Sequence, residues 1–452
     1  MCSTKQTGPS VFANLNFSLL FVGSSVSALG DQFTLVALPW LVLKLADSPA
    51  ALGIVLALMA LPRAVFILIG GAVVDRLSPR LVLLRALAVN AACIAVLAAL
   101  ILTGYLHMWA IYTLTLGIGL STAFAYPAGS ALLPQLVEPQ QLRSANALFM
   151  GTRHLSMIVG PVLAGFVITL GAHELSAKHL QDASGMGLAF SIDALSFLFS
   201  LTSLWMIRIR SDSNPPQIDG GVFASVTEGI RSVWMDLPLR TFVLYVALVS
   251  LFVSGPLRVG LPVLADTRLH LGAASLGILM TTNGVGTLIG SILAGRATRL
   301  MSGRLGIMVL TFDCLNGLLL ASLAIMHTTA GAALLLGCIG FLDGVVIISI
   351  FAWIQQRVPQ EKMGRTMSIL MFTFMGLVPI SASIAGALLK VISLAVLFGI
   401  AGLTLTAIAL ACMSNRQLRS IRSAGPLPRE SKIQPAASLT PSPPGHGSAT
   451  PG

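Results

Sequence analysis

Six ionisable side chains stand inside long apolar runs of this chain: Asp31, Arg63, Arg153, His154, Arg258 and Asp343. A charge in such a run is costly to bury, so by default it marks an ion or substrate path. Asp31 and Asp343 are candidate proton carriers, because a carboxylate can take up and release a proton. His154 is a third, since imidazole titrates near neutrality; a lone histidine in a helix is more often a hydrogen-bonded packing residue. Arg63, Arg153 and Arg258 bring positive charge to the same zone. Asp193 and Asp313 also interrupt apolar runs and read as structural acids.

The elements that position these groups follow from composition. Of 452 residues, 55% are hydrophobic and 10% charged, with a mean hydropathy of +0.89. A water-facing domain carries about 25% charged residues. Apolar runs of about 20 residues read as membrane helices, because a helix satisfies its own backbone bonds in lipid. The net charge of +11 does not indicate nucleic-acid binding, since the basic residues fall in the gaps between runs. The five cysteines (Cys2, Cys93, Cys314, Cys338 and Cys412) form no CxxC pair, so neither a disulfide framework nor a metal site follows. No cofactor is indicated. The opening "MCSTKQTGPS" reads as a polar lead into a retained first helix rather than a cleaved signal.

The length rule places twelve spans near 16–43, 51–74, 81–103, 108–131, 146–170, 187–207, 239–264, 274–297, 305–326, 330–353, 365–390 and 392–413. Alternate gaps carry most of the arginine, including Arg76, Arg80, Arg85, Arg143, Arg296 and Arg357. The remaining gaps hold only Lys44, Lys178, Arg268 and Lys390. That bias places both termini in the cytoplasm. A polar linker, 208–238, divides the spans six and six, and Val222, Val226, Ile230 and Val233 in it recur at the spacing of a surface amphipathic helix. The expected organisation is an N-terminal bundle at 1–207, the linker, a C-terminal bundle at 239–413, and a disordered Pro/Ser/Gly-rich cytoplasmic tail at 414–452.

The halves repeat one another. "PQLVEPQQLRSANAL" from Pro134 matches "QQRVPQEKMGRTMSI" from Gln355 at a shift of 221, which also carries Gly165 onto Gly386 and Gly119 onto Gly340. A shift of 220 carries Ile69, Gly70 and Arg76 onto Ile289, Gly290 and Arg296, and so places Asn283 opposite Arg63. A duplicated six-helix unit in the membrane is a transporter architecture, with substrate bound near the midplane between the repeats.

Two short motifs sharpen this. "GAVVDRLSPR", Gly71 to Arg80, resembles the loop signature of the major facilitator superfamily, in which glycine precedes Asp-Arg and a further arginine. Gly71, Asp75, Arg76 and Arg80 match, whereas Ser78 and Pro79 depart from the usual glycine and arginine. The resemblance implies a cytoplasmic latch that holds the outward-facing state closed; the alternative is a set of charges that only anchors a loop. "SMIVGPVLAG", Ser156 to Gly165, resembles the antiporter motif of the same superfamily through Gly160, Pro161 and Gly165, with Ser156 and Ala164 in place of glycines. Ordinary small-residue helix packing is the alternative there. "SALGDQFTLVALPWLVL" and "QQRVPQEKMGR" look like the exporter branch that contains macrolide-efflux proteins and the enterobactin exporter.

The resemblance implies an all-α membrane fold of twelve helices in two pseudo-symmetric six-helix bundles, with helices 1, 4, 7 and 10 lining a central cavity. Asp31 and Arg258, on repeat-related helices, are then expected to face each other across it. Desolvation and a facing guanidinium act on a carboxylate in opposite senses, and that contest can couple protonation to helix movement; the alternative is a static pair. Helix 4 lacks the arginine that many drug–proton antiporters carry. The expected lining is Met-rich and aromatic: Met59, Met280, Met371, Met375, Phe33, Trp40, Phe124, Tyr126 and Phe372. The implied activity is secondary active export of a hydrophobic or amphipathic small molecule across the cytoplasmic (inner) membrane in exchange for protons, by a monomer surrounded by membrane lipid. Export of an endogenous siderophore or a lipid is the nearest alternative, and a non-transporting receptor a further one. No HExxH, GxSxG or P-loop points to an enzyme or an ATP-driven pump.

Overall fold

The structure, a computed structural model, describes residues 11–76, 78–171, 183–207, 231, 233–301, 304–358, 360–419 and 421. Described elements are helical: α1 (Leu15–Ala46), α2 (Pro49–Arg76), α3 (Pro79–Thr103), α4 (Met108–Leu136), α5 (Leu142–Gly171) and α6 (Ala183–Met206) form the first set. The second set is α7 (Leu237–Thr267), α8 (Ala273–Leu300), α9 (Leu305–Ser322), α10 (Thr329–Arg357), α11 (Gln360–Gly376), α12 (Val378–Leu388), α13 (Leu394–Met413) and a last turn, α14 (Arg416–Arg419). Among the described residues, ten helices are long and apolar enough to cross a membrane, and shorter apolar segments at Pro49–Arg63 and Phe372–Leu388 fill the second and eleventh places in the order.

The eleventh span departs from a single run over 365–390. It breaks at Leu377, between α11 and α12. Pro379 follows at the start of α12, where its missing N–H costs nothing, and a proline is disfavoured inside a continuing helix. Most other helices run a few residues past the apolar core, because polar ends such as Lys44 and Arg357 continue the last turn. The proposed amphipathic stretch around 222–230 lies outside the described residues, while Val233 is buried with Leu239 and Phe242.

Helix pairings repeat between the sets. In the first, α1 packs on α6 and α5, α2 on α4, and α3 on α6 and α4. In the second, α7 packs on α13 and α12, α8 on α10, and α9 on α13 and α10. Capping repeats too. Asn14 caps α1 and donates to the Leu136 carbonyl at the end of α4. Asp236 caps α7 and takes a two-pronged ion pair from Arg357 at the end of α10, 3.0 Å on each prong.

The sets join through α5 against α8 and α2 against α12. Lipid gives apolar helices no hydrophobic reason to associate, so close approach depends on small residues. A Cβ on Gly165 would meet the Ala273 carbonyl and Ala274; one on Gly386 would meet the Pro49 carbonyl and Ala50. Likewise Gly277 abuts Pro161 and Val162, and Gly53 abuts Ala382 and Ser383. Pro49 with Ala273, Ala50 with Ala274 and Gly53 with Gly277 are each 224 residues apart, and Gly165 with Gly386 are 221 apart. The two junctions therefore match residue for residue. They also correct the register of α2 against α8: the offset is 224, one helical turn from 220, so Asn283 corresponds to Met59 rather than Arg63. Gly119 facing the Met59 carbonyl and Gly340 facing that of Asn283 give the same register.

Candidate functional site

The motif residues Gly160, Pro161 and Gly165 lie on α5 at these junctions. Gly160 lets α5 close on Gln32 of α1, and Gly165 lets it close on α8. Pro161 removes an N–H from the α5 ladder. One turn earlier, the Thr281 hydroxyl of α8 donates to the Ile158 carbonyl at 2.7 Å. Small residues here join the halves as well as neighbouring helices of one half.

Arg80 of the loop motif bonds within its own half. Arg80, in the first turn of α3, donates to the carbonyls of Leu204 (3.4 Å) and Trp205 (2.6 Å) at the end of α6. The Leu204 carbonyl also accepts from the Ile207 N–H at 3.2 Å, and a cation is favourable at that end of the dipole. Gly71 lies within α2. The side chains of Asp75 and Arg76 lie outside the described residues.

The central charges gather around α1. Asp31 is accessible and lines a recess of about 130 Å³ between α1, α3 and α6, with Ser24, Ser27 and Ser200 among its walls. The recess follows α1 from Leu19 to Asp31, about 18 Å of helix. The positive groups acting on Asp31 are Arg153 and Arg63. Arg258 acts on Arg63, and among the described residues no ion pair joins Arg258 to Asp31. The facing pair expected from the repeat is thus replaced by a cluster drawn from α1, α2, α5 and α7. The reason is azimuth: depth along a helix can be read from sequence, but the direction of a side chain depends on how the helix packs.

Behind Asp31, Asp193 is fully buried and accepts hydrogen bonds from Thr34 and Ser196. Arg63 leans over the Tyr126 ring at 6.0 Å, and its Nε is buried without a hydrogen-bond partner. Arg153 and His154 are both exposed. In the other half Asp343 is exposed on α10 and accepts from Asn316 at 2.8 Å, while buried Asp313 accepts from the Tyr245 hydroxyl. Asp193 and Asp313 are thus tied by hydroxyl donors. Phe33 and Trp40 are packed in the core rather than lining a cavity, whereas Tyr126 and Phe372 are open. The side chains of Met371 and Met375 lie outside the described residues.

One ion pair was not signalled by any motif. Lys44 in the last turn of α1 meets Asp266 near the end of α7 at 2.7 Å. No local spacing reports it, because the partners come from different halves.

The profile described as transmembrane secretion effector matches residues 7–440, almost the whole of the architecture above. The chain belongs to the transmembrane secretion effector family. Proteins with similar sequences include the multidrug efflux pump Tap of Mycolicibacterium fortuitum, 29% identical over 371 residues, which span 78% of this chain and 83% of Tap. The enterobactin exporter EntS of Shigella boydii serotype 18 is 23% identical over 352 residues, 77% of this chain and 79% of EntS. Among solved structures, the nucleoside transporter NupG superposes with a TM-score of 0.66 at 14% identity, covering 89% of this chain and 98% of NupG. A bacterial homologue of the iron transporter ferroportin, in an inward-facing state, gives 0.60 at 18% identity, covering 88% and 98%. These two structures share the fold. As a secretion effector of the major facilitator type, this multi-pass membrane protein is an efflux transporter, not an enzyme.

Proposed function

We propose that the chain exports a hydrophobic or amphipathic small molecule across the cytoplasmic membrane by alternating access, in exchange for protons. The observation that carries this reading is Asp31: an accessible carboxylate among Arg63 and Arg153, at the end of a leucine-lined recess into which Ser24, Ser27 and Ser200 also face. A recess of this volume has room for about four waters, which suits proton delivery from one side. The matched α5–α8 and α2–α12 junctions support rocking of one half against the other. They lie toward the ends of the helices remote from the termini, as does Lys44–Asp266. With both termini in the cytoplasm, a reading supported by the arginine-rich gaps, this is an inward-open state. The units that rock are 1–207 and 239–413, joined by the linker at 208–238.

The test is accumulation of a fluorescent amphipathic dye in inverted vesicles holding the full chain, with and without an imposed pH gradient. Gradient-dependent accumulation above that of empty vesicles supports the reading; accumulation indifferent to the gradient removes proton exchange. Siderophore export is a second reading, favoured by the likeness to proteins named enterobactin exporters. It predicts that a catecholate siderophore competes with the dye.

A further inference from the structure

We propose that the zone between the two halves binds the anionic group of an amphipathic substrate, held by Arg63 and Arg258 from opposite halves, with Arg153 beside them. This deepens the exporter reading and takes its biological sense from it.

Arg63 on α2, Arg153 on α5 and Arg258 on α7 all stand in the interior of their helices, and Arg63 acts electrostatically with each of the other two. Among the described residues, none of the three has a carboxylate within 4.0 Å, the ion pairs there being Lys44–Asp266 and Arg357–Asp236. Arg63 Nε is buried without a partner, and a buried donor left unpaired carries its full desolvation cost. Arg153 and Arg258 are open to an incoming molecule. Arg63 lies within electrostatic reach of both. Among the described residues the charges that oppose them are few. Asp31 stands near Arg63 and Arg153, Asp193 is buried behind it under two hydroxyls, and Asp343 is engaged with Asn316.

Three like charges around one accessible acid repel a cationic substrate and attract an anionic one. Guanidinium matches carboxylate, catecholate, sulfonate or phosphate with paired N–H donors. Tyr126, half exposed beneath Arg63, offers an apolar face to the remainder of the molecule. Because Arg63 and Arg258 belong to different halves, an anion between them turns a repulsion between the halves into two attractions.

The test uses two hydrophobic ions of the same shape and opposite charge, tetraphenylborate and tetraphenylphosphonium. Each is bound to the purified full chain in an uncharged detergent and measured by equilibrium dialysis. Tetraphenylborate should bind at least about tenfold more tightly. Arg63→Gln and Arg258→Gln should each bring the ratio toward one, while Arg63→Lys, which keeps the charge, should preserve most of it. Monodisperse elution of each variant confirms that it is folded. Equal binding of the two ions, tighter binding of the phosphonium, binding of neither, or a ratio unmoved in both glutamine variants would overturn the proposal. A preserved preference for the borate with no gradient-driven transport in vesicles would instead remove proton exchange and leave the anion site standing.

Discussion

Lys44 and Asp266 meet at 2.7 Å, one from each half, 222 residues apart and each in the last turn of its helix. The Lys44 ammonium also lies 5.0 Å from the Trp40 ring, which packs 3.3 Å from the Cβ position of Gly272 between α7 and α8. This pair lies in the same zone as the glycine junctions and helps to close it. Both side chains are partly exposed, so the pair contributes about 1 kcal/mol at most to closure. That is enough to change a balanced two-state equilibrium about fivefold.

Reversing one charge, Lys44→Glu, should open this end by setting two carboxylates against each other. Spin labels at residues 47 and 270 should then report a longer mean distance. The double exchange, Lys44→Asp with Asp266→Lys, should recover most of the short distance. An unchanged distance in the single variant would show that the glycine contacts alone hold the end closed.

Gly165 and Gly386 should be equivalent in their sensitivity. A Cβ at Gly165 lies 2.8 Å from a carbonyl oxygen, and at Gly386 2.6 Å from another. Backbone on the far side cannot turn away as a flexible side chain can. Gly165→Val and Gly386→Val should each cost the closed state about 1–3 kcal/mol and lower transport. Gly399→Ala, where nothing lies within 4 Å, should be neutral. Transport rates at equal membrane abundance check all three.

The helices were legible because apolar length is a strong signal, and the duplication because "PQLVEP" and its partner keep their spacing. The register of α2 on α8 was not. In an alphabet of Ala, Gly, Ile and Leu, a slip of one turn matches almost as well as the true alignment, and Ile69, Gly70 and Arg76 favoured the wrong one. Contacts at Gly53 and Gly277 resolve it. The break at Leu377 was hidden inside a continuously apolar run. Asp31 was found as a charge at mid-depth, but its neighbours Arg63 and Arg153 depend on helix rotation, and Lys44–Asp266 on the meeting of the two halves.

The loop motif should separate into two roles. Arg80→Ala removes donors to the end of α6 and should lower the melting temperature, through a loss of about 2 kcal/mol, with little change in transport per folded molecule. Asp75→Asn, which removes the latch carboxylate, should leave stability near wild type and reduce transport about tenfold or more. A melting curve and a transport assay on both variants check this; the reverse pattern would assign the latch to Arg80.

Reporter fusions after residue 220 and after Met413 should both score as cytoplasmic, and one near Lys178 as external, following the arginine-rich gaps. An external score at Met413 would invert the inward-open reading of the Lys44–Asp266 end.

Proton exchange through Asp31 is tested most directly by Asp31→Asn in inverted vesicles. The amide resembles the protonated acid in shape and cannot release a proton. Uphill accumulation of dye driven by a pH gradient should disappear, while downhill dye exchange and dye binding persist. Loss of binding or folding in this variant, restored by adding Arg63→Gln or Arg153→Gln, would instead make Asp31 a static counter-ion to those arginines. Gradient-driven accumulation at the wild-type rate would contradict Asp31 as the carrier and move that role to Asp343 or His154.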